Sequence, residues 1–244
     1  MPRLSAFRSR ALGALIVLVS LTACTAAAMG DETRAVPAPK VDAPLAATSA
    51  KQTAVFAGGC FWGLQWVFEH VNGVTNVASG YSGGAASTAL YERVSEGDTG
   101  HAESVKVTFD PSKISYGQLL HVYFSAATDP TQLNRQTPDT GTQYRGVIFY
   151  TDAQQKKIAD AYIAQLTAAK AYPAPIVTQV VPFKAFYPAE SYHQDYARLN
   201  PDALYIVVND APKVTALQKL LPALYRAQPV LYRPQSGTIA VTAL

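Results

Sequence analysis

Cysteine is scarce in this chain, with two in 244 residues, Cys24 and Cys60. At most one disulfide is possible, so a small scaffold stapled by several bridges is excluded. Histidine is also thin, and the four histidines are too scattered to form with Cys60 a ligand set of recognisable spacing, so no metal is implied. An uninterrupted apolar segment of the ~20 residues that a bilayer-spanning helix needs is missing too. The candidate at residues 11–23 falls short of it. Nor is there a surplus of charge. The chain carries 20 basic and 17 acidic residues, and three of the basic ones, Arg3, Arg8 and Arg10, precede the apolar segment. Without them the balance is 17 against 17, which leaves no sign of the basic patch that a nucleic-acid partner would need.

What stands at the N-terminus instead is a leader. Three arginines without an acid, a short apolar core and then Leu21-Thr22-Ala23-Cys24 resemble a lipoprotein signal peptide ending in a bacterial lipobox. On this reading residues 1–23 are removed and Cys24 takes a lipid. The mature protein is then exported and lipid-anchored to a bacterial membrane, facing the periplasm, without spanning it. A lipid-linked Cys24 cannot pair, so Cys60 becomes the one free thiol in an oxidising compartment and calls for a chemical explanation. Residues 24–52, rich in Ala, Pro, Thr and Asp without apolar periodicity, read as a lipidated flexible tether.

From Thr53 the texture changes, and residues 53–226 read as one domain. A short apolar run at residues 54–57 closed by Gly58-Gly59 suits a buried strand, and Phe61, Leu64, Val67, Phe68 and Val71 follow at helical spacing up to Gly73. Val105, Val107 and Phe109 alternate as a strand does. Ser115 and Gln118 form a capping-box pattern, and Asp152 suits the N-cap of a long helix reaching Lys170. Residues 144–150, 177–181 and 204–208 read as strands, and 214–225 as the last helix. The interleaving predicts an α+β domain, a two-layer α/β sandwich with helices packed on a mixed sheet, of ferredoxin-like type. The tail, residues 227–244, is left without a structural assignment.

The chemistry concentrates in a few stretches. In Gly58-Gly59-Cys60-Phe61-Trp62-Gly63 a thiol sits at a strand-to-helix turn, where the positive end of the helix dipole favours thiolate. Phe61 and Trp62 can form an aromatic wall suited to a small apolar group such as an S-methyl. An inert cysteine in an aromatic core fits this stretch equally well. Glu103 closes the loop Gly97-Asp98-Thr99-Gly100-His101-Ala102; beside an apolar pocket its carboxyl would stay protonated near neutrality and donate a proton, whereas on a strand edge it would be a solvent-facing acid. His101 reads as structural. Residues 134–145 form a long polar loop in which Asp139 and Tyr144 supply an acceptor and a donor, and Tyr91 stands shortly before the Gly97 loop.

Taken together and in order, Gly-Cys-Phe-Trp-Gly, Tyr91, Gly-Asp-Thr-Gly-His-Ala-Glu, Pro-Asp-x-Gly-Thr-Gln-Tyr-Arg and Ala189-Glu190-Ser191-Tyr192-His193-Gln194-Asp195-Tyr196 resemble the type A peptide methionine-S-sulfoxide reductases. The resemblance implies Cys60 as nucleophile and Glu103 as proton donor. It places Tyr91, Tyr144 and Asp139 around the sulfoxide oxygen and makes Phe61 and Trp62 the methyl-binding aromatics. It implies no bound cofactor, oxidised proteins or peptides as substrates, and a monomer. The chain departs from the family at Gln65, at Ser125-Ala126-Ala127 and at Ser191. It also lacks the resolving cysteines that many relatives carry near their ends, so an external thiol reductant, a thioredoxin-like protein or a small thiol, must restore Cys60. Two rival readings are a cysteine hydrolase with His101 or His193 as base, and a non-enzymatic lipoprotein whose Cys60 senses oxidants.

Overall fold

The computed structural model describes Met1 and residues 34–234. The expected signal peptide, its cleavage point and Cys24 lie outside the described residues.

In chain order the main elements are β1 (Gln52–Ala57), α1 (Phe61–Glu69), β2 (Val74–Ser82), α2 (Tyr91–Val94), β3 (Ala102–Phe109), α3 (Tyr116–Val122), β4 (Arg135–Gln136), β5 (Asp139–Thr140), β6 (Val147–Tyr150), α4 (Ala153–Ala168), β7 (Gln179–Pro182), β8 (Tyr187–Pro188), α5 (Tyr196–Leu199) and α6 (Ala211–Leu220). The main sheet runs β7-β6-β1-β3-β2-β8, and β4 pairs with β5 apart from it. Its pairs are antiparallel except β6 with β7, so the sheet is mixed. Within it β1, β2, β3 and β6, with α1 and α3 between them, give the order β6-β1-β3-β2 of the ferredoxin-like βαββαβ unit. The α+β class expected from the interleaving is the one formed.

Alternation decides which face each residue meets. Ala54 and Phe56 of β1 join Val105, Val107 and Phe109 of β3 in the core shared with Leu64, Val67 and Phe68 of α1, Leu119 and Leu120 of α3, and Ile158 and Tyr162 of α4. Val55 and Ala57 point the other way, to Ala102, Val147 and Phe149 under Phe183 and Phe186. Each fully buried Leu, Val or Phe contributes about 1.5–3 kcal/mol relative to exposure. The two predicted caps are present. Ser115 Oγ accepts from Gln118 N–H at 3.1 Å while Gln118 Oε1 accepts from Ser115 N–H at 3.0 Å, and Asp152 Oδ1 accepts from Gln155 N–H at 2.8 Å.

Several expectations are corrected. β2 has no counterpart in the sequence reading, because it is buried on both faces and its polar members hide the alternation. Residues 204–208 are not a strand: they enter a π-turn at Ile206–Asp210 that runs into α6, with Ile206 buried and Leu204, Val207 and Val208 outward. Their β-branched composition yields to the turn that brings Tyr205 inward. The last helix starts earlier and stops at Leu220, ahead of Pro222.

The stretch read as a flexible tether is docked from Arg34 onward. Val36 is buried, its carbonyl receives His121 Nε2 at 2.8 Å, Tyr162 OH donates to Pro37 O at 2.8 Å, and Asp42 Oδ1 accepts from Gly117 N–H at 2.8 Å. A segment without periodicity can still satisfy its backbone along a helical surface, which composition does not reveal. The unassigned tail is likewise held through residue 233. Val230 N–H reaches Glu69 O at 3.0 Å, Tyr232 N–H reaches Asp195 Oδ1 at 3.0 Å, and Arg233 exchanges backbone bonds with the Asn76 amide.

The docked segment gives a direct test. A chain beginning at residue 34 is expected to melt several degrees above one beginning at residue 52, through the lost hydrogen bonds and the exposed core at Val36. Equal midpoints in a thermal scan would restore the tether.

Candidate functional site

Strand pairing assembles the site. At the C-terminal end of β1, Ala57 pairs with Ser104 of β3 on one side and Val147 of β6 on the other. The residues just beyond these partners, Cys60, Glu103 and Tyr144, therefore converge at one end of the sheet. The turn between β1 and α1 is tight. Gly59 has φ +94°, and a Cβ there would meet the Gln136 side chain at 2.7 Å, so only glycine fits. Gly59 N–H also donates to Tyr144 O at 3.1 Å, tying this turn to the polar loop.

Cys60 is the N-cap of α1 and 8% exposed. Phe61, the first helical residue, directs its N–H to Glu103 Oε2 at 3.0 Å, and Glu103 is 3% exposed. That donor is one of the unpaired amides every helix start must satisfy. Burial pushes the Glu103 carboxyl up from 4.5 to about 8, with Asp139 and Asp210 adding to the rise and the Phe61 bond opposing it. Glu103 is thus protonated at neutral pH, as the apolar-pocket reading required.

The thiol departs from expectation. Burial pushes Cys60 well above its ordinary value, Glu103, Asp210 and Asp139 raise it further, and only the backbone amide of Trp62 pulls it down. The resting group is a thiol, because enclosure by low dielectric and three acids outweighs the helix terminus.

Asp139, Tyr91 and Tyr144 line the half-buried rim. Burial raises all three, and Tyr91 and Tyr144 also feel Glu103, Cys60 and Asp139. The structure therefore brings together the five polar positions singled out in the sequence. Phe61 lies inside, its ring 5.8 Å from Tyr81 and 5.0 Å from His193. Trp62 stacks on Tyr196 with centroids 3.9 Å apart, and its Nε1–H donates to His193 Nδ1 at 3.1 Å.

The Glu190–Tyr196 stretch supports this rim from behind. Glu190 accepts from Tyr81 OH at 2.9 Å and from Tyr91 N–H at 3.0 Å, fixing the start of α2. Gln194 pairs with both backbone groups of Ser79 along β2. Gln65 joins Ser79 Oγ, Val77 O and Asp195 N–H, so this departure from the family pattern has a packing role.

Sequence reasoning missed Tyr205, whose hydroxyl donates to Asp139 Oδ2 and whose ring meets Trp62 edge-on at 6.0 Å. It also missed Asp210. Reading residues 204–208 as a strand concealed both.

Neither candidate imidazole is placed as a base for Cys60. His101 receives Gly84 N–H on Nδ1 at 3.2 Å and meets Ala85 O through Nε2 at 2.9 Å. His193 spends Nδ1 on Trp62, and burial lowers it to about 4, so it is neutral at physiological pH. Among the described residues no group of three or more His, Cys, Asp and Glu is arranged to hold a metal ion.

Comparison with known proteins gives consistent similarities. The family model described as peptide methionine sulfoxide reductase matches residues 52–223. A Mesorhizobium japonicum protein named peptide methionine sulfoxide reductase MsrA 2 is 61% identical over 76% of this chain and 95% of its own length. Its namesake from Synechocystis is 49% identical over 80% and 92%. Among solved structures, reduced Mxr1 from Saccharomyces cerevisiae aligns at TM-score 0.55 and 31% identity, covering 67% of this chain and 92% of that one. Methionine sulfoxide reductase A of Corynebacterium diphtheriae aligns at 0.54 and 32%, covering 70% and 87%.

The displaced carboxyl has a stability consequence. Between pH 4.5 and about 8 the unfolded chain has lost the Glu103 proton that the folded chain keeps, so stability falls as pH rises through that window. Glu103→Gln removes this penalty. At pH 7 it is expected to stabilise the fold by roughly 3 kcal/mol, less any hydrogen bonding the amide loses, and the gain should vanish near pH 4. Urea titrations at the two pH values decide it; a pH-independent difference contradicts a protonated Glu103.

Proposed function

The chain belongs to the peptide methionine sulfoxide reductase family, and from that premise we propose that it reduces the S epimer of methionine sulfoxide in oxidised proteins, and free methionine sulfoxide, through a Cys60 sulfenic acid. It is an oxidoreductase acting on sulfur, and its role is repair after oxidative damage. The observation carrying this reading is a buried thiol at the start of α1 beside a buried, protonated Glu103, with an aromatic wall at hand.

The sulfoxide S-methyl group sits against Phe61 and Trp62, with the oxygen directed to Glu103 and the hydroxyls of Tyr91 and Tyr144. Asp139, which receives the Tyr205 hydroxyl, orients the rim. Glu103 gives its proton to the oxygen as the Cys60 sulfur attacks the sulfoxide sulfur, and the thiol proton replaces the one Glu103 lost. The oxygen passes to Cys60 and methionine leaves. The substrate sulfur is reduced by two electrons and Cys60 oxidised by two, to the reversible sulfenic stage.

Regeneration requires two thiol equivalents from outside. The first condenses with the sulfenic acid, releasing water and forming a mixed disulfide; the second displaces it and restores the Cys60 thiol. A thioredoxin-like protein or a small thiol supplies them, because these 244 residues hold no cysteine besides Cys24 and Cys60. The lipobox-like Leu21-Thr22-Ala23-Cys24 supports a place for this repair at a bacterial membrane facing the periplasm, with lipid on Cys24. Among the described residues no helix is long and apolar enough to cross a membrane.

With the S and R epimers of a methionyl sulfoxide peptide and dithiothreitol, only the S epimer is expected to be consumed. Cys60→Ser should abolish turnover, and Glu103→Gln should lower it about 100-fold or more. Retained activity in the Cys60 variant would overturn the proposal. After one equivalent of substrate without reductant, a dimedone-type reagent should label Cys60. The alkaline limb is testable as well: turnover should decline as pH rises through about 8, where the general acid Glu103 loses its proton. In the producing bacterium, a fatty-acid label should appear on the chain and be lost in Cys24→Ser.

A further inference from the structure

The turn that carries Tyr205 also carries an uncovered apolar face. Val207 N–H donates to Ala203 O at 2.9 Å, so the chain is already wound helically before the π-turn at Ile206–Asp210. Tyr205 points inward, with its hydroxyl on Asp139 and its ring edge-on to Trp62, and Ile206 is fully buried. Leu204, Val207 and Val208 point the other way and are 78%, 49% and 59% exposed. At spacings of three and four residues they are neighbours on one helical face. Single exposed aliphatics are ordinary, but three adjoining ones beside a tyrosine of the rim form a patch of the kind that marks binding. Between Leu199, itself exposed, and Asp210 the chain has one charged residue, Asp202, so this face offers little to a charged partner.

We infer that Leu204, Val207 and Val208 form a docking shelf for the apolar side chains that flank the oxidised methionine, so that the enzyme favours sulfoxides in apolar, extended segments of damaged proteins over those set among polar residues. Continuity with the site identifies the occupant. In an extended peptide, side chains two positions apart point the same way at about 7 Å, and one helical turn rises about 5.4 Å. A sulfoxide held at Trp62 therefore places its second neighbour within a turn of Tyr205, where the shelf begins. A second copy of the chain, or a protein reductant, would need an interface of about 20 residues a side, and three aliphatics are the footprint of a few. The inference rests on the proposed reduction of methionine sulfoxide at Cys60 and adds the surroundings that it selects.

The test uses two end-blocked pentapeptides of methionine S-sulfoxide, one with leucine two positions to either side and one with serine at every other position, on the full chain with dithiothreitol. The parent is expected to favour the leucine peptide about tenfold in kcat/KM, acting through KM, as an added apolar contact does. Leu204→Ser/Val208→Ser should raise KM for the leucine peptide about tenfold, leaving its kcat and both constants for the serine peptide as in the parent. Both side chains are exposed, so the variant keeps the fold. Equal use of the two peptides by the parent, or an undiminished preference in the variant, overturns the shelf and leaves the reduction intact. A variant altered only in oligomeric state, or only in its use of thioredoxin in place of dithiothreitol, gives the face to those partners and overturns the shelf too. Fluorescence anisotropy of the same peptides, labelled, reads the preference without turnover. If neither peptide is reduced while the leucine peptide still binds the parent about tenfold more tightly than the variant, the proposed reaction fails and the shelf stands.

Discussion

The hydrogen bond from Phe61 N–H to Glu103 Oε2 fastens the helix that carries the thiol to the strand that carries the acid, and the site is organised around it. It satisfies a helix-start amide that burial has cut off from water, and it orients a carboxyl with no solvent to ionise into. One contact thus serves the fold and the chemistry together. Burial, which keeps Glu103 protonated against the pull of this bond, is the cost, a strain on stability of the kind concentrated at active sites.

Around that contact the sheet supplies geometry and the loops supply function. Ala57 pairs with Ser104 and Val147, so three chain segments far apart in sequence end side by side. Glu190 and Gln194 then hold α2 and β2 by backbone hydrogen bonds, and His193 accepts from Trp62 of the aromatic rim. The N-terminal segment from Arg34 and the C-terminal segment to residue 233 lie over helices and strand edges, completing the body on which the rim rests.

The electrostatics of the centre run against the simplest view of a cysteine at a helix terminus. The helix field is present, but the sulfur is enclosed among carboxyl groups, and desolvation is the largest influence upon it. A helix terminus favours thiolate by about 1 kcal/mol at an exposed position, and full burial of a charge costs several times that. The resting site is accordingly neutral at both of its reacting groups, which suits a reaction that begins by protonating a substrate oxygen.

The five motifs were legible in the sequence because each packs recognisable residue types into a short stretch: Cys60 with its two aromatics, Glu103 at the end of its loop, Asp139 and Tyr144 in theirs. The α+β class was legible too, since the apolar run of β1, the alternation in β3 and the caps at Ser115 and Asp152 are local signals. Tyr205 and Asp210 were not, because they reach the site through a π-turn whose β-prone composition points elsewhere. The segments flanking the domain were not either, because docking by backbone hydrogen bonds leaves no trace in composition. Residue chemistry could name a nucleophile and an acid. Only the folded chain decided their protonation, because that depends on how completely water is excluded and on which distant charges arrive beside them.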